Sequence, residues 1–153
     1  MAERLIVMRH AESSSDYRGL SDHDRPLNAR GRKDACLVGD ALAKRGWLPQ
    51  LVLVSSSTRT LETLEGMTQH IKGARTEIRS EIYHAGISTL LTQLEGMLGE
   101  GTTMILGHNP GSEVLINHLT EEWHAMPPAA AALLTGTEGN WSFEGIIRPR
   151  ELD

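Results

Sequence analysis

The most chemically suggestive side chains of this sequence are two histidines and two arginines, namely Arg9, His10, Arg59 and His108. A neutral imidazole is a competent nucleophile, and its reference pKa of about 6.5 leaves much of it neutral at physiological pH. A guanidinium group is permanently charged and presents paired donors that match phosphate oxygens. Phosphoryl transfer needs both, a nucleophile in line with the leaving group and fixed positive charge around the transferred oxygens. Two arginines with a second histidine as donor would neutralise most of that charge without a metal ion.

Taken singly, each of these residues has a plainer explanation. An Arg-His pair after a strand usually belongs to a surface loop, and an arginine early in a helix often faces solvent. A histidine in a tight turn can simply satisfy backbone groups. The joint arrangement favours chemistry, because each residue follows a short apolar segment and the chain order is Arg-His, Arg, His.

Three of the short apolar segments, at residues 4–8, 51–54 and 102–106, predict strands buried on both faces. Arg9 and His10 follow the first strand, the segment 55–59 follows the second, and His108 follows the last. Because ligand sites of open α/β sheets lie beyond the carboxyl ends of the strands, we expect these side chains to meet.

Helical segments alternate with the strands. Asn28 can cap a helix that ends near Arg45, and one of the residues 55–58 can cap the next, with Arg59 in its first turn. Further elements are predicted as a short strand at 76–79, a helix opened by Ser88 with an apolar face and closed by Gly99, a helix at 112–119, and strands at 131–135 and 141–147. Residues 12–25 predict a loop of about 15 residues, a length that is often functional. The alternation predicts one domain, residues 1–153, with an α/β sandwich and a largely parallel sheet.

Composition excludes several classes of protein. The 153 residues, 39% hydrophobic and 23% charged, are typical of a soluble globular domain. A formal net charge of -5 without a Lys/Arg cluster argues against nucleic-acid binding. The apolar run near the N-terminus is too short for a signal peptide or a membrane span. With a single cysteine, Cys36, a reducing cytoplasmic setting fits best. No histidine or cysteine spacing predicts a metal site, and no glycine-rich signature predicts a nucleotide cofactor.

Four segments resemble, in order and spacing, the motifs of the histidine phosphatase superfamily in its phosphoglycerate mutase-like branch: LIVMRHAES, RPLNARGRKDA, LVLVSSSTRTLET and MILGHNPGSEVLINHL. The small SixA-like phosphohistidine phosphatases are the most similar members. The resemblance implies a three-layer α/β/α sandwich whose mostly parallel sheet has one antiparallel strand. It also implies that His10 accepts the phosphoryl group while Arg9, Arg59 and His108 bind it.

Two departures from the family pattern concern the site. Ala11 stands where a glycine usually follows the Arg-His pair, which is tolerable if the backbone there keeps a negative φ. The general acid of many members follows the third strand, where Glu81 is the best positional match. Glu81 is either that acid or an ordinary exposed carboxylate. Asn109 is a further candidate donor to phosphate, and Tyr83 and His84 belong either to the pocket rim or to packing.

The identity of the general acid bears on the class of substrate. An alkoxide leaving group needs a proton from an acid, whereas the imidazole expelled from a phosphohistidine can be protonated by solvent. A weak acid and a chain with little sequence left for a lid favour phosphohistidine on another protein, cleaved by a metal-independent, cofactor-free monomer. The alternatives are a hydrolase of small phosphomonoesters and a non-catalytic phosphate-binding module.

Overall fold

The computed structural model describes residues 3–16, 18–95, 97, 101–137 and 139–152. Within them the order of elements is β1 Glu3–Arg9, α1 Ala29–Lys44, β2 Leu51–Val54, α2 Thr58–Met67, β3 Arg75–Ile78, α3 Ile87–Leu94, β4 Gly101–Gly107, α4 Gly111–Thr120, β5 Ala131–Thr137 and β6 Asn140–Ile147. Single 3₁₀ turns form at Asp22–Asp24, Ser80–Ile82 and Pro149–Glu151.

The strands form one six-stranded sheet in the order β3-β2-β4-β1-β5-β6. The pairs β3·β2, β2·β4 and β4·β1 are parallel, whereas β5 runs antiparallel to both of its neighbours. The α/β prediction of a mostly parallel sheet with one antiparallel strand is therefore confirmed.

Helices cover both faces of the sheet because the side chains of each central strand alternate between the faces. On β1, Ile6 and Met8 enter the core cluster that contains residues of α1 and α2. Leu5 and Val7 enter the opposite cluster, which contains residues of α3 and α4. Both faces of β1 are thus apolar, which is why its sequence reads as a continuous hydrophobic run.

Helix starts follow the capping residues seen in the sequence. The side chain of Asn28 accepts a hydrogen bond of 2.8 Å from the backbone N–H of Gly31 and caps α1 as predicted. Ser57 caps α2 by accepting from the N–H of Thr60. The helix predicted from Ser88 begins at Ile87 and ends at Leu94, and the predicted closing residue, Gly99, lies outside the described residues.

β3 is an edge strand, and three of its four residues are exposed.

In the described part of the chain, no helix is both long and apolar enough to cross a bilayer.

Candidate active site

The three segments singled out in the sequence meet at one edge of the sheet. β1, β4 and β2 are parallel neighbours, so their carboxyl ends lie side by side. The backbone N–H of His10 donates to the carbonyl oxygen of Gly107 at 3.0 Å, and that of Ser55 donates to Leu106 at 3.1 Å. Side chains that follow the three strands therefore share one site.

His10 is buried in a single tautomer. Its Nδ1 lies 2.7 Å from the carbonyl oxygen of Ala11. A carbonyl oxygen only accepts hydrogen bonds, so Nδ1 carries the proton and Nε2 has the lone pair. Burial, opposed by the Ala11 hydrogen bond and supported by the charges of Arg59, Arg9 and Arg25, lowers the pKa of His10 to about 4. The imidazole is consequently neutral, and Nε2 nucleophilic, at physiological pH.

The chain after His10 is fastened to the helix that carries Arg59. The N–H of Ala11 donates to Oγ1 of Thr63 at 2.9 Å, and that hydroxyl donates to the carbonyl oxygen of Arg59 at 2.7 Å. The backbone of Ala11 does not have a positive φ. Alanine in place of the usual glycine therefore introduces no backbone strain.

The two guanidinium groups are close enough to affect each other. Arg59 is buried in the first turn of α2. The pKa of Arg9 is lowered chiefly by burial, with Glu113 raising it and Arg59 lowering it. Nη1 of Arg9 donates to the carbonyl oxygen of Met126 at 3.1 Å, which fixes the side chain beside β1.

His108 lies next to His10, with 5.4 Å between the two ring centroids. Its Nε2 is 2.8 Å from Oγ of Ser55, so the end of β2 orients the ring at the end of β4. Burial, together with the neighbouring His10 and Arg59 side chains, lowers the pKa of His108 to about 3. The structure thus brings together all four residues selected from the sequence.

Three nitrogen atoms of this group have no hydrogen-bond partner among the described residues, although they are buried. They are Nε of Arg9, Nε of Arg59 and Nδ1 of His108. Buried donors are almost always satisfied in folded proteins, and an unpaired one costs about 1–3 kcal/mol. A tetrahedral oxyanion would supply acceptors for the two arginine nitrogens, and for Nδ1 of His108 in the tautomer that carries its proton there.

The structure does not bring Glu81 to the other four residues. Its side chain is exposed, and its carboxylate accepts a hydrogen bond of 3.3 Å from the hydroxyl of the neighbouring Ser80. Tyr83 and His84, from the same segment, lie against His108 instead, with ring centroids 5.3 Å from it in both cases. Of the two interpretations of Tyr83 and His84, the structure supports the one that places them at the rim of the site.

Asn109 is adjacent to the site, but its amide donors are engaged elsewhere. Nδ2 donates to Glu113 at 2.9 Å and to the carbonyl oxygen of Met126 at 3.0 Å. The same carbonyl accepts from Arg9. In this geometry Asn109 fixes the loop beside Arg9, and a hydrogen bond from its side chain to phosphate would require one of these bonds to break.

Sequence reasoning missed Asp22 altogether. This residue lies in the 3₁₀ turn of the long loop, and its backbone and side chain both accept hydrogen bonds from Arg59. The loop has no helical or strand periodicity, so its sequence holds no signal of which residue reaches the site. Among the residues that the structure describes, no group of three or more His, Cys, Asp or Glu side chains could hold a metal ion.

Comparisons with known proteins agree with this fold. An uncharacterized chloroplastic protein of Arabidopsis thaliana is 32% identical over 175 residues, covering 97% of this chain and 79% of its own length. The structure of a candidate SixA phosphohistidine phosphatase from Agrobacterium tumefaciens is similar with a TM-score of 0.86 and 25% identity, covering 96% of this chain and 98% of that one. The protein histidine phosphatase SixA, solved with tungstate, shares the fold with a TM-score of 0.89 at 24% identity, covering 98% and 99%.

A family model describes the part of the chain that contains most of the site. The histidine phosphatase superfamily (branch 1) matches residues 5–83, which include Arg9, His10 and Arg59. The chain therefore belongs to the histidine phosphatase superfamily, branch 1.

Proposed function

We propose that this protein is a phosphatase that accepts a phosphoryl group on Nε2 of His10 and passes it to water, and that its substrate is a phosphohistidine of another protein. The single observation that carries the proposal is the position of a buried, neutral imidazole next to two guanidinium groups and His108. We further propose that the reaction needs no metal ion and that the protein acts as a cytoplasmic monomer.

The reaction has two displacements at phosphorus. In the first, the lone pair of Nε2 forms a bond to phosphorus while the bond from phosphorus to the substrate's imidazole nitrogen breaks. The departing imidazole keeps the electron pair and takes a proton from solvent. Water then attacks the phosphorylated His10 and loses a proton, the N–P bond breaks with its electron pair returning to Nε2, and inorganic phosphate leaves.

Each neighbouring group has a role in this scheme. The carbonyl oxygen of Ala11 holds the proton on Nδ1 and stabilises the positive charge that the ring gains when Nε2 is phosphorylated. Arg9 and Arg59 would balance the charge of the equatorial oxygens. His108, held by Ser55 through Nε2, would donate from Nδ1 to a phosphoryl oxygen.

The choice of an N–P substrate rests on the leaving group. Glu81 hydrogen-bonds with Ser80, and the Asp22 carboxylate on Arg59 is held ionised by its hydrogen bonds, so neither carboxyl group is available to protonate an oxygen leaving group. An imidazole leaving group needs none. A cleft of about 390 Å³ beside His108, lined by residues 84–86 and 108–111, would admit a side chain displayed by a partner protein.

Small phosphomonoesters are a second candidate substrate class, and one observation favours them. The 3₁₀ turn of the long loop contacts Arg59 through Asp22, so part of the site is covered. A covered site suits a small substrate better than a protein side chain. For such a substrate we propose Glu81 as the general acid, reached by rotation of its exposed side chain.

A substrate panel tests the proposal. A phosphotransfer protein carrying phosphohistidine and a series of small phosphomonoesters are offered to the purified protein in the presence of EDTA. We expect the phosphohistidine protein to have the highest kcat/KM, and we expect His10→Ala to lower it by about a thousandfold or more. His70→Ala serves as a matched control, because His70 contacts Cys36 outside the site.

Two results would overturn parts of the proposal. If the protein cleaved sugar phosphates efficiently and left phosphohistidine proteins intact, the proposed substrate class would be wrong. In that case Glu81→Gln should slow the cleavage of sugar phosphates. Full activity of His10→Ala on any substrate would contradict the nucleophile.

A further inference from the structure

The backbone and the carboxylate of Asp22 occupy both terminal nitrogens of the Arg59 guanidinium group. Nη1 donates to the backbone carbonyl oxygen of Asp22 at 2.6 Å, and Nη2 donates to its Oδ2 at 2.9 Å. These are the donors that a guanidinium group uses for paired recognition of a phosphate. An anion that binds Arg59 in this way must compete with Asp22.

The same carboxylate receives hydrogen bonds from two further residues. Oδ2 accepts from the hydroxyl of Tyr83 at 2.5 Å, and Oδ1 accepts from Nη2 of Arg25 at 3.0 Å. The Tyr83 hydrogen bond, followed by those from Arg59 and Arg25, holds the pKa of Asp22 well below its usual range. Asp22 is therefore charged at neutral pH, and its oxygens are surrounded by donors as phosphoryl oxygens would be.

Tyr83 connects this cluster to the catalytic end of the sheet. Its ring lies 5.3 Å from that of His108, centroid to centroid, and stacks on His84 at 4.1 Å. The Tyr83 hydroxyl and Nη2 of Arg59 share Oδ2 of Asp22, so the hydroxyl lies beside the proposed phosphate-binding guanidinium group. Tyr83 has no place in the two displacement steps described above.

The geometry points to Asp22 as an internal competing anion: its carboxylate takes the place of a phosphoryl oxygen on Arg59 and Tyr83, and both donors pass to the phosphoryl group when substrate or inorganic phosphate binds. Tyr83 thereby becomes a phosphate-binding residue. The inference rests on the proposed function, because it takes Arg59 as a phosphate ligand.

Charge and position both favour displacement of the Asp22 carboxylate by a phosphoryl group over simultaneous binding of the two anions to Arg59. A phosphoryl group bears close to two negative charges at neutral pH, and it is repelled by a carboxylate in contact with the same guanidinium. The side chain of Asp22 is 44% exposed and belongs to a single 3₁₀ turn within a loop, so it can turn into solvent without disturbing the core. Its return after turnover would help to expel inorganic phosphate.

Binding of inorganic phosphate, measured by calorimetry without any substrate, tests the inference. We expect Asp22→Asn, which keeps the shape of the side chain and removes its charge, to bind phosphate about tenfold more tightly than the wild type. Asp24→Asn is the matched control, because Asp24 is in the same turn and its ion pair is with His23. The control should bind within about twofold of the wild type.

Tyr83→Phe, introduced into the Asp22→Asn protein, tests the transfer of the hydroxyl. If Tyr83 binds phosphate, this change weakens binding by about threefold to tenfold relative to Asp22→Asn alone. If Tyr83 only anchors Asp22, the change has no effect in this background, and the assignment of Tyr83 to the phosphate site is overturned.

A phosphate titration of the wild type, followed by backbone amide NMR, does not depend on any variant folding. Residues 22–24 should shift with the same apparent Kd as the amides of the site. Unmoved residues 22–24, or equal or weaker phosphate binding by Asp22→Asn, would overturn the inference. Failure of the proposed function is distinguishable, because Arg59→Ala would then bind phosphate as tightly as the wild type.

Discussion

The backbone N–H of Ala11 donates a hydrogen bond of 2.9 Å to Oγ1 of Thr63, which joins the segment after the nucleophile to helix α2. The same hydroxyl donates to the carbonyl oxygen of Arg59. One threonine thus connects the backbone of the residue next to His10 with the backbone of a phosphate-binding candidate. The relative position of the nucleophile and the guanidinium group depends on this side chain.

Thr63→Val should therefore damage both stability and turnover. Valine has nearly the same shape but leaves the buried N–H of Ala11 without an acceptor, which should cost about 1–3 kcal/mol of the free energy of unfolding. We expect kcat to fall by about tenfold or more because His10 loses its fixed position. Urea unfolding and steady-state kinetics measure the two effects.

Thr63→Ser is the control for this change, since it keeps the hydroxyl group and removes one methyl group. It should keep most of the activity of the wild type. If Thr63→Val were as stable and as active as the wild type, the hydrogen bonds of the Thr63 hydroxyl would contribute to neither stability nor turnover.

Acidification should destabilise the protein through its two buried neutral histidines. The pKa of His10 is lowered to about 4 and that of His108 to about 3, so below the unfolded-state value near 6.5 the unfolded chain binds more protons than the folded one. Stability then falls as the pH is lowered. The unfolded histidine is already half protonated at pH 6.5, so between pH 6.5 and pH 5 each histidine should remove about 1–2 kcal/mol, with a limiting slope of about 1.4 kcal/mol per pH unit.

The pH dependence of His10→Gln isolates one of these two contributions. Glutamine does not titrate, so the loss of unfolding free energy between pH 6.5 and pH 5 should be about 1–2 kcal/mol smaller in the variant than in the wild type. Urea unfolding at the two pH values provides both differences. Equal losses in the two proteins would show that His10 is not held neutral by the fold.

Gly31 is required where the first turn of α1 meets the segment after the nucleophile. A Cβ at this position would overlap the carbonyl oxygen of Glu12, which accepts a hydrogen bond from the N–H of Asn28 at 3.1 Å. Gly31→Ala should lower the unfolding free energy by about 1–3 kcal/mol, although alanine is normally the better helix former by about 1 kcal/mol.

A glycine in open surroundings provides the comparison for Gly31. A Cβ on Gly145, in β6, would meet no atom within 4 Å. Gly145→Ala should leave stability within about 0.5 kcal/mol of the wild type. A Gly31→Ala protein as stable as Gly145→Ala, by thermal or urea unfolding, would contradict the close approach to Glu12.

Local patterns in the sequence were sufficient for the strands and for the shared position of the four central residues, whereas the one antiparallel strand was expected from the family resemblance. Apolar runs of strand length predicted β1, β2 and β4, and the polar residues directly after them had to lie at one edge once the strands were parallel. The capping side chains of Asn28 and Ser57 bind backbone N–H groups only three residues away, so these hydrogen bonds could also be predicted from the sequence.

Contacts between distant segments could not be read in the same way. Asp22 reaches Arg59 and Tyr83 from a loop without periodicity, so nothing local marked it. Glu81 was selected by its position in the chain, yet the 3₁₀ turn that contains it directs Tyr83 and His84, rather than Glu81, toward His108. The side chain that reaches a site from an irregular segment depends on backbone angles that residue types alone do not specify.

A single-turnover labelling experiment tests the central claim most directly. The protein is mixed with a substoichiometric substrate labelled with ³²P, denatured within milliseconds, and digested for mass spectrometry and for acid and base stability of the label. We expect the label on the peptide that contains His10, labile in acid and stable in base, and absent from His10→Ala. An acid-stable label, or a label on a residue other than His10, would contradict the account.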